Sequence, residues 1–71
     1  MNRIEDRDPR KDPQPGDVID RHTCKWSIRR IVVGRNGSEV DYKVGIDGPV
    51  KNCWITTWQD WARHAEVIKT A

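Results

Sequence analysis

Ile31-Val32-Val33-Gly34-Arg35-Asn36-Gly37-Ser38-Glu39-Val40-Asp41-Tyr42-Lys43-Val44-Gly45-Ile46 is the stretch that decides the fold of this 71-residue chain. Asn36-Gly37 at its centre is the strongest short-range hairpin signal, because the tight turn that matches strand twist needs the positive φ that Asn and Gly tolerate. Downstream, Val40, Tyr42, Val44 and Ile46 alternate with Asp41, Lys43 and Gly45, the period of a half-buried antiparallel strand. Upstream, the run from Trp26 to Gly34 is too β-branched for a helix and long enough for a central strand. Its parity is mixed: Trp26, Ile28 and Val32 fall on one side, Ile31 and Val33 on the other. A bulge near Arg29-Arg30, or burial on both faces at the strand's end, accounts for this.

Working outward, Pro15-Gly16-Asp17 is a turn signal placed directly before Val18-Ile19, so a first short strand is expected over residues 17–21. Asp47-Gly48 makes the next tight turn, and Val50 to Ile55 returns as a further strand. In that strand Val50 and Trp54 share one parity and Cys53 and Ile55 the other. The period then changes. Trp58, Trp61, Ala62 and Ala65 stand at i, i+3, i+4 and i+7, one face of a short helix over about residues 57–65. Thr56 with Gln59, or Thr57 with Asp60, offers a capping box. Val67-Ile68-Lys69 supplies a last strand that can close the sheet.

Three of the four tryptophans lie between Trp54 and Trp61. Spacing divides them: Trp58 and Trp61 face the sheet, which leaves Trp26 or Trp54 as the tryptophan most open to solvent. The first 15 residues hold three of the four prolines and a dense alternation of charge, with Ile4 the one large aliphatic besides Met1. Such a composition offers little apolar surface against its ordering entropy. Residues 1–15 therefore read as a flexible charged arm and residues 16–71 as one small domain. On that reading, deleting residues 1–13 leaves the melting temperature unchanged.

The arrangement resembles an SH3-like barrel. It implies a mainly β fold, a small antiparallel barrel of about five strands with one short helix near the C-terminus. The chain also resembles a loose group of small proteins encoded by tailed phages and prophages, through Asp8-Pro9-Arg10, Asp12-Pro13, Pro15-Gly16-Asp17-Val18, Cys53 and Trp58-Gln59-Asp60-Trp61-Ala62. That resemblance implies a phage or prophage accessory protein and no mechanism. Small accessory proteins of this kind often bind and redirect a host protein, with counter-defence as one class.

Chemistry is sparse. His22, Cys24, Cys53 and His64 are the residue types of a tetrahedral zinc site, but His22 and Cys24 are set too tightly and Cys53 and His64 stand alone. A Cys53–His64 nucleophilic pair lacks an orienting partner and an oxyanion hole. The acidic residues Asp17, Asp20, Asp41, Asp47 and Asp60 are spread over turns and solvent faces. The expectation is a non-enzymatic protein with no metal and no cofactor.

With 13 basic and 11 acidic side chains the formal net charge is only +2, short of the basic stripe of strong nucleic-acid binders. Arg29, Lys43 and Lys51 can meet across three neighbouring strands. The candidate binding surface is therefore Arg29, Arg30, Lys43 and Lys51, with Asn36 at the hairpin tip and Trp26 as an exposed aromatic. Three functional readings follow. The first is a module that binds and modulates a host or phage protein. The second is a nucleic-acid-binding barrel using the same cations and one exposed tryptophan. The third is a virion or assembly component joined through a free sheet edge. No apolar run reaches membrane-spanning length and no apolar secretory segment opens the chain, so the expected location is the cytoplasm, that of the host on the phage reading.

Overall fold

Residues 7–71 are described by the structure, a computed structural model. The elements follow as β1 (Val18–His22), β2 (Ser27–Asn36), β3 (Glu39–Val44), β4 (Val50–Trp54), α1 (Ile55–Ala62) and β5 (Glu66–Lys69). Every strand pairing is antiparallel. The β2–β3 hairpin turns through Gly37-Ser38 between the paired Asn36 and Glu39, and Gly37 alone takes the positive φ, 61°, so the turn sits one residue later than an Asn-Gly turn. The bulge in β2 is present but sits later than expected. Val32 pairs with Tyr42 and Gly34 with Asp41, which leaves Val33 as the extra residue.

The barrel expectation is overturned. The strands lie in one open five-stranded sheet of order β4-β3-β2-β1-β5. Closure would require β4 to pair with β5, but these are the two outer strands. The reason lies in the connection: α1 begins directly after β4 and β5 follows on the far side of the sheet, so the helix covers one face in place of returning strands. Ile19, Val32, Val40 and Tyr42 on that face pack against Trp58, Ala62 and Ala65, with Val44, Cys53, Ile55, Trp61 and Val67 around them. The fold is mainly β with a single covered face.

The helix starts two residues earlier than its threonines suggest, with Trp54 as N-cap and no side-chain cap. Its first amide is instead satisfied by the hairpin, since Ile55 N–H donates to the Ser38 carbonyl at 2.7 Å. Ile46 also departs from its pattern. β3 ends at Val44, and Ile46 lies in the following loop, 75% exposed.

The charged, proline-rich segment is not a loose arm over its described part, residues 7–15; residues 1–6 lie outside the described residues. Pro9 and Pro13 are fully buried. Trp58 Nε1 donates to the Pro9 carbonyl at 3.0 Å, Gln59 Nε2 to the Lys11 carbonyl at 2.8 Å, and Arg35 to the Pro13 carbonyl at 2.9 Å. A composition argument treats prolines as loop formers. It overlooks that their rings are apolar, that their backbone loses little freedom on ordering, and that their carbonyls remain free to accept.

Asp17 anchors the segment. Its carboxylate is fully buried and each oxygen accepts twice. Oδ1 receives Arg7 at 3.0 Å and the Ala71 amide at 2.7 Å, and Oδ2 receives Arg7 at 2.7 Å and the Gln14 amide at 2.7 Å. Burial by itself pushes the carboxyl up. The Arg7 hydrogen bonds and the two amides outweigh burial and hold it below the ordinary carboxylate range. Asp17 is therefore much more than the turn residue its sequence context suggests.

Candidate interaction surface

The face away from α1 is built by strand alternation. Because Ile19, Val32 and Tyr42 point to the helix, their neighbours Val18, Asp20, Arg29, Ile31, Asp41, Lys43, Val50, Asn52 and Trp54 lie on the other face. Nothing among the described residues forms a second layer over it. One row across the strands reads Val18, Ile31, Lys43, Val50, a shallow apolar band crossed by one lysine stem. Trp54 closes one corner, 62% exposed, beside Glu39 and with Asp41 in the next row. Polar pairs flank the band. Asn52 Nδ2 donates to Asp41 at 2.8 Å on one side. On the other side Arg29 grips Asp20 through Nε at 2.7 Å and a terminal nitrogen at 3.0 Å, and those bonds hold the Asp20 carboxyl below its usual range.

The expected basic cluster is not assembled. Arg29 and Lys43 share the uncovered face, but Arg29 is committed to Asp20. Lys51 stands opposite Tyr42, on the face that carries the helix. Arg30 is on that face too. Its guanidinium carbon lies 4.3 Å from the Tyr42 ring centroid and 3.9 Å from that of Trp61, with Trp58 at 5.8 Å. Burial lowers its pKa, and its Nε is buried without a hydrogen-bond partner among the described residues. Sequence parity left the facing of Arg29 and Arg30 open, and the aromatic stack that draws Arg30 inward needs three rings from two other elements. Asn36 is exposed at the hairpin tip. Trp26 is 61% exposed at the opposite end of β2, in the β1–β2 turn held by Thr23 Oγ1, which accepts from the Trp26 amide at 3.1 Å. Trp26 and Trp54 are thus both solvent-facing, as parity suggested for one of them. Val18, Ile31, Val50 and Trp54 are the residues of this face absent from the sequence-derived set. The shared parity of Val50 and Trp54, set against Cys53 and Ile55, was the signal that marked them.

The residues with ligand chemistry lie apart. Cys24 is exposed in the β1–β2 turn, while Cys53 stands opposite Val40 toward the other end of the sheet. Burial pushes the Cys53 thiol up, away from the thiolate. His22 Nε2 is 3.2 Å from Glu66 Oε1, and His64 is exposed beyond the helix. Among the described residues no cluster of three or more His, Cys, Asp or Glu side chains could hold a metal ion. A cleft of about 450 Å³ is lined by Asp8, Arg10, Lys11, Gln59 and Arg63. Its cations are largely claimed, Arg10 by Asp8 at 3.1 Å and Arg63 by Asp60 at 3.4 Å. No helix among the described residues is long and apolar enough to cross a membrane.

Comparison with protein-family models, with curated proteins and with solved structures finds no match for this chain.

Proposed function

We propose that this chain is a non-enzymatic binding module that docks a protein partner on the uncovered face of its sheet. The observation that carries this reading is the band Val18, Ile31, Lys43 and Val50, an apolar row flanked by side chains already paired with one another, with Trp54 exposed beyond the Asn52–Asp41 pair. An apolar patch with polar surroundings and an exposed aromatic nearby is the composition of a protein interface. On the phage resemblance the partner is a host protein and the chain modulates it, with counter-defence as one setting.

The face suits a nucleic acid poorly. Stacking platforms need cations beside the aromatic ring, whereas Trp54 sits beside Glu39 and near Asp41, and Arg29 is neutralised by Asp20. The test pairs capture with a face variant. Tagged wild-type chain recovers a stoichiometric partner from cells that express it, and Ile31→Glu combined with Lys43→Glu loses that partner while keeping the wild-type melting temperature. Retention of the partner by the folded double variant removes this face from the mechanism.

A further inference from the structure

We propose that β4 pairs with β4 of a second copy of this chain, so that two sheets join edge to edge into one continuous sheet. The phase of the β3–β4 ladder carries the inference. Ile55 N–H donates to the Ser38 carbonyl, and in the same register Cys53 faces Val40 and Lys51 faces Tyr42. Hydrogen-bonded pairs alternate with non-bonded ones along an antiparallel ladder. Lys51 and Cys53 therefore spend their backbone groups on β3. Val50, Asn52 and Trp54 turn their N–H and C=O groups outward, to an edge that no described strand pairs.

That edge is complementary to itself. An antiparallel copy related by a two-fold axis at Asn52 sets Asn52 opposite Asn52 of the second copy, and Val50 opposite its Trp54. All three outward residues then fall at positions that exchange both backbone bonds, which shifted two-fold registers achieve for fewer of them. Val50 against Trp54 is a β-branched–aromatic cross-strand pair, a favourable kind. Each Lys51 faces a Cys53, so no like charges stand directly opposed. Asn52, which already donates to Asp41, keeps an amide hydrogen and its carbonyl for the other Asn52.

The two edges of the sheet differ in protection. β5 is guarded by a register shift against β1, by Glu66 and Lys69, and by the return of Ala71 onto Asp17. β4 has an unbroken register with β3, one charged residue, and Val50 and Trp54 both exposed. Unprotected edges of this kind template further pairing, and a self-complementary patch gives a closed two-fold dimer. The proposal uses the edge of the sheet and stands independently of docking on its face.

Analytical ultracentrifugation over a dilution series tests it with the purified chain alone. Wild type sediments at twice the monomer mass at high concentration and dissociates on dilution. Asn52→Pro removes one outward N–H without touching the β3 ladder, and Asn52→Lys sets two charges face to face; both variants stay monomeric with an unchanged near-ultraviolet spectrum. Amide exchange gives a second readout. Val50, Asn52 and Trp54 are protected only at dimer concentrations, while Lys51 and Cys53 are protected at all concentrations. A wild type that remains monomeric into the millimolar range overturns the proposal, as does a dimer that survives Asn52→Lys. If Asn52→Pro unfolds, the lysine variant and the exchange pattern decide. Because no partner protein is involved, failure here is distinct from failure of face docking.

Discussion

Replacing Asp17 by Asn tests whether one buried carboxylate ties the proline segment to the sheet. Each carboxylate oxygen accepts from two donors, Arg7 with Ala71 at Oδ1 and Arg7 with Gln14 at Oδ2. An amide of the same shape cannot serve both sides, because whichever position becomes NH₂ confronts two N–H donors. Arg7 loses its counter-charge while its side chain is 16% exposed. Breaking a buried charge pair by changing one partner costs about 3–5 kcal/mol, against a total stability of roughly 4–11 kcal/mol for a domain of this length. Urea unfolding followed by tryptophan fluorescence at neutral pH measures the loss. A cycle with Arg7→Gln isolates the pair, with a coupling of about 1.5–3 kcal/mol expected for charged hydrogen bonds. An Asn variant within about 0.5 kcal/mol of wild type, the range of an ordinary surface substitution, refutes the anchor. So does a coupling near zero. The same carboxylate sets an acid limit. Its folded pKa is depressed, so its contribution is present above the unfolded value of about 3.9 and is lost as pH falls through the folded value. Asp8 and Asp20, held down chiefly by Arg10 and Arg29, act in the same direction. Asp17→Asn should make the acid unfolding profile shallower without abolishing it.

Deleting residues 1–13 removes Arg7, Pro9 and Pro13, and should lower the melting temperature by about 4–8 °C for each kcal/mol lost; an unchanged calorimetric transition would show the packed segment to be energetically idle. Trp58→Ala opens the centre of the core and unpairs the Pro9 carbonyl, and should cost about 3–5 kcal/mol in urea unfolding. Arg30→Met keeps the stem volume and removes a desolvated cation with an orphan Nε, and should change stability by less than about 1 kcal/mol in either direction; a larger loss would show that the stack on Tyr42 and Trp61 outweighs the cost of burial.

The parts of this fold readable from sequence are those set by local period. Asn36-Gly37 placed the hairpin, Val40 and Tyr42 announced the buried parity of β3, and Trp58 with Ala62 marked the inward side of the helix, while Ala65, expected on the same helical face, is buried just beyond the helix's end at Ala62. What escaped is what depends on partners distant in the chain. Whether β5 meets β4 or β1 decides between a barrel and an open sheet, and Val67-Ile68-Lys69 is compatible with both. The burial of Pro9 and Pro13 depends on Trp58 and Arg35, and the role of Asp17 on Arg7 and Ala71. For the surface, the cations expected to cluster are divided between the two faces of the sheet. The side of the sheet that Lys51 occupies is fixed by its pairing with Tyr42, and Arg29 is silenced by an aspartate on the neighbouring strand.

The place of β1 between β2 and β5 has a consequence for the order in which the molecule forms. β2, β3 and β4 succeed one another through short turns, so that meander assembles from contacts local in sequence, which close quickly. β1 gains its second neighbour only from the far end of the chain, where Ile19 waits for Val67 and Asp17 for Ala71. Until residues 66–71 are in place, β1 has β2 as its one partner and its other flank is unpaired. A chain truncated before Glu66 would lack β5 and leave that flank of β1 open to unintended pairing.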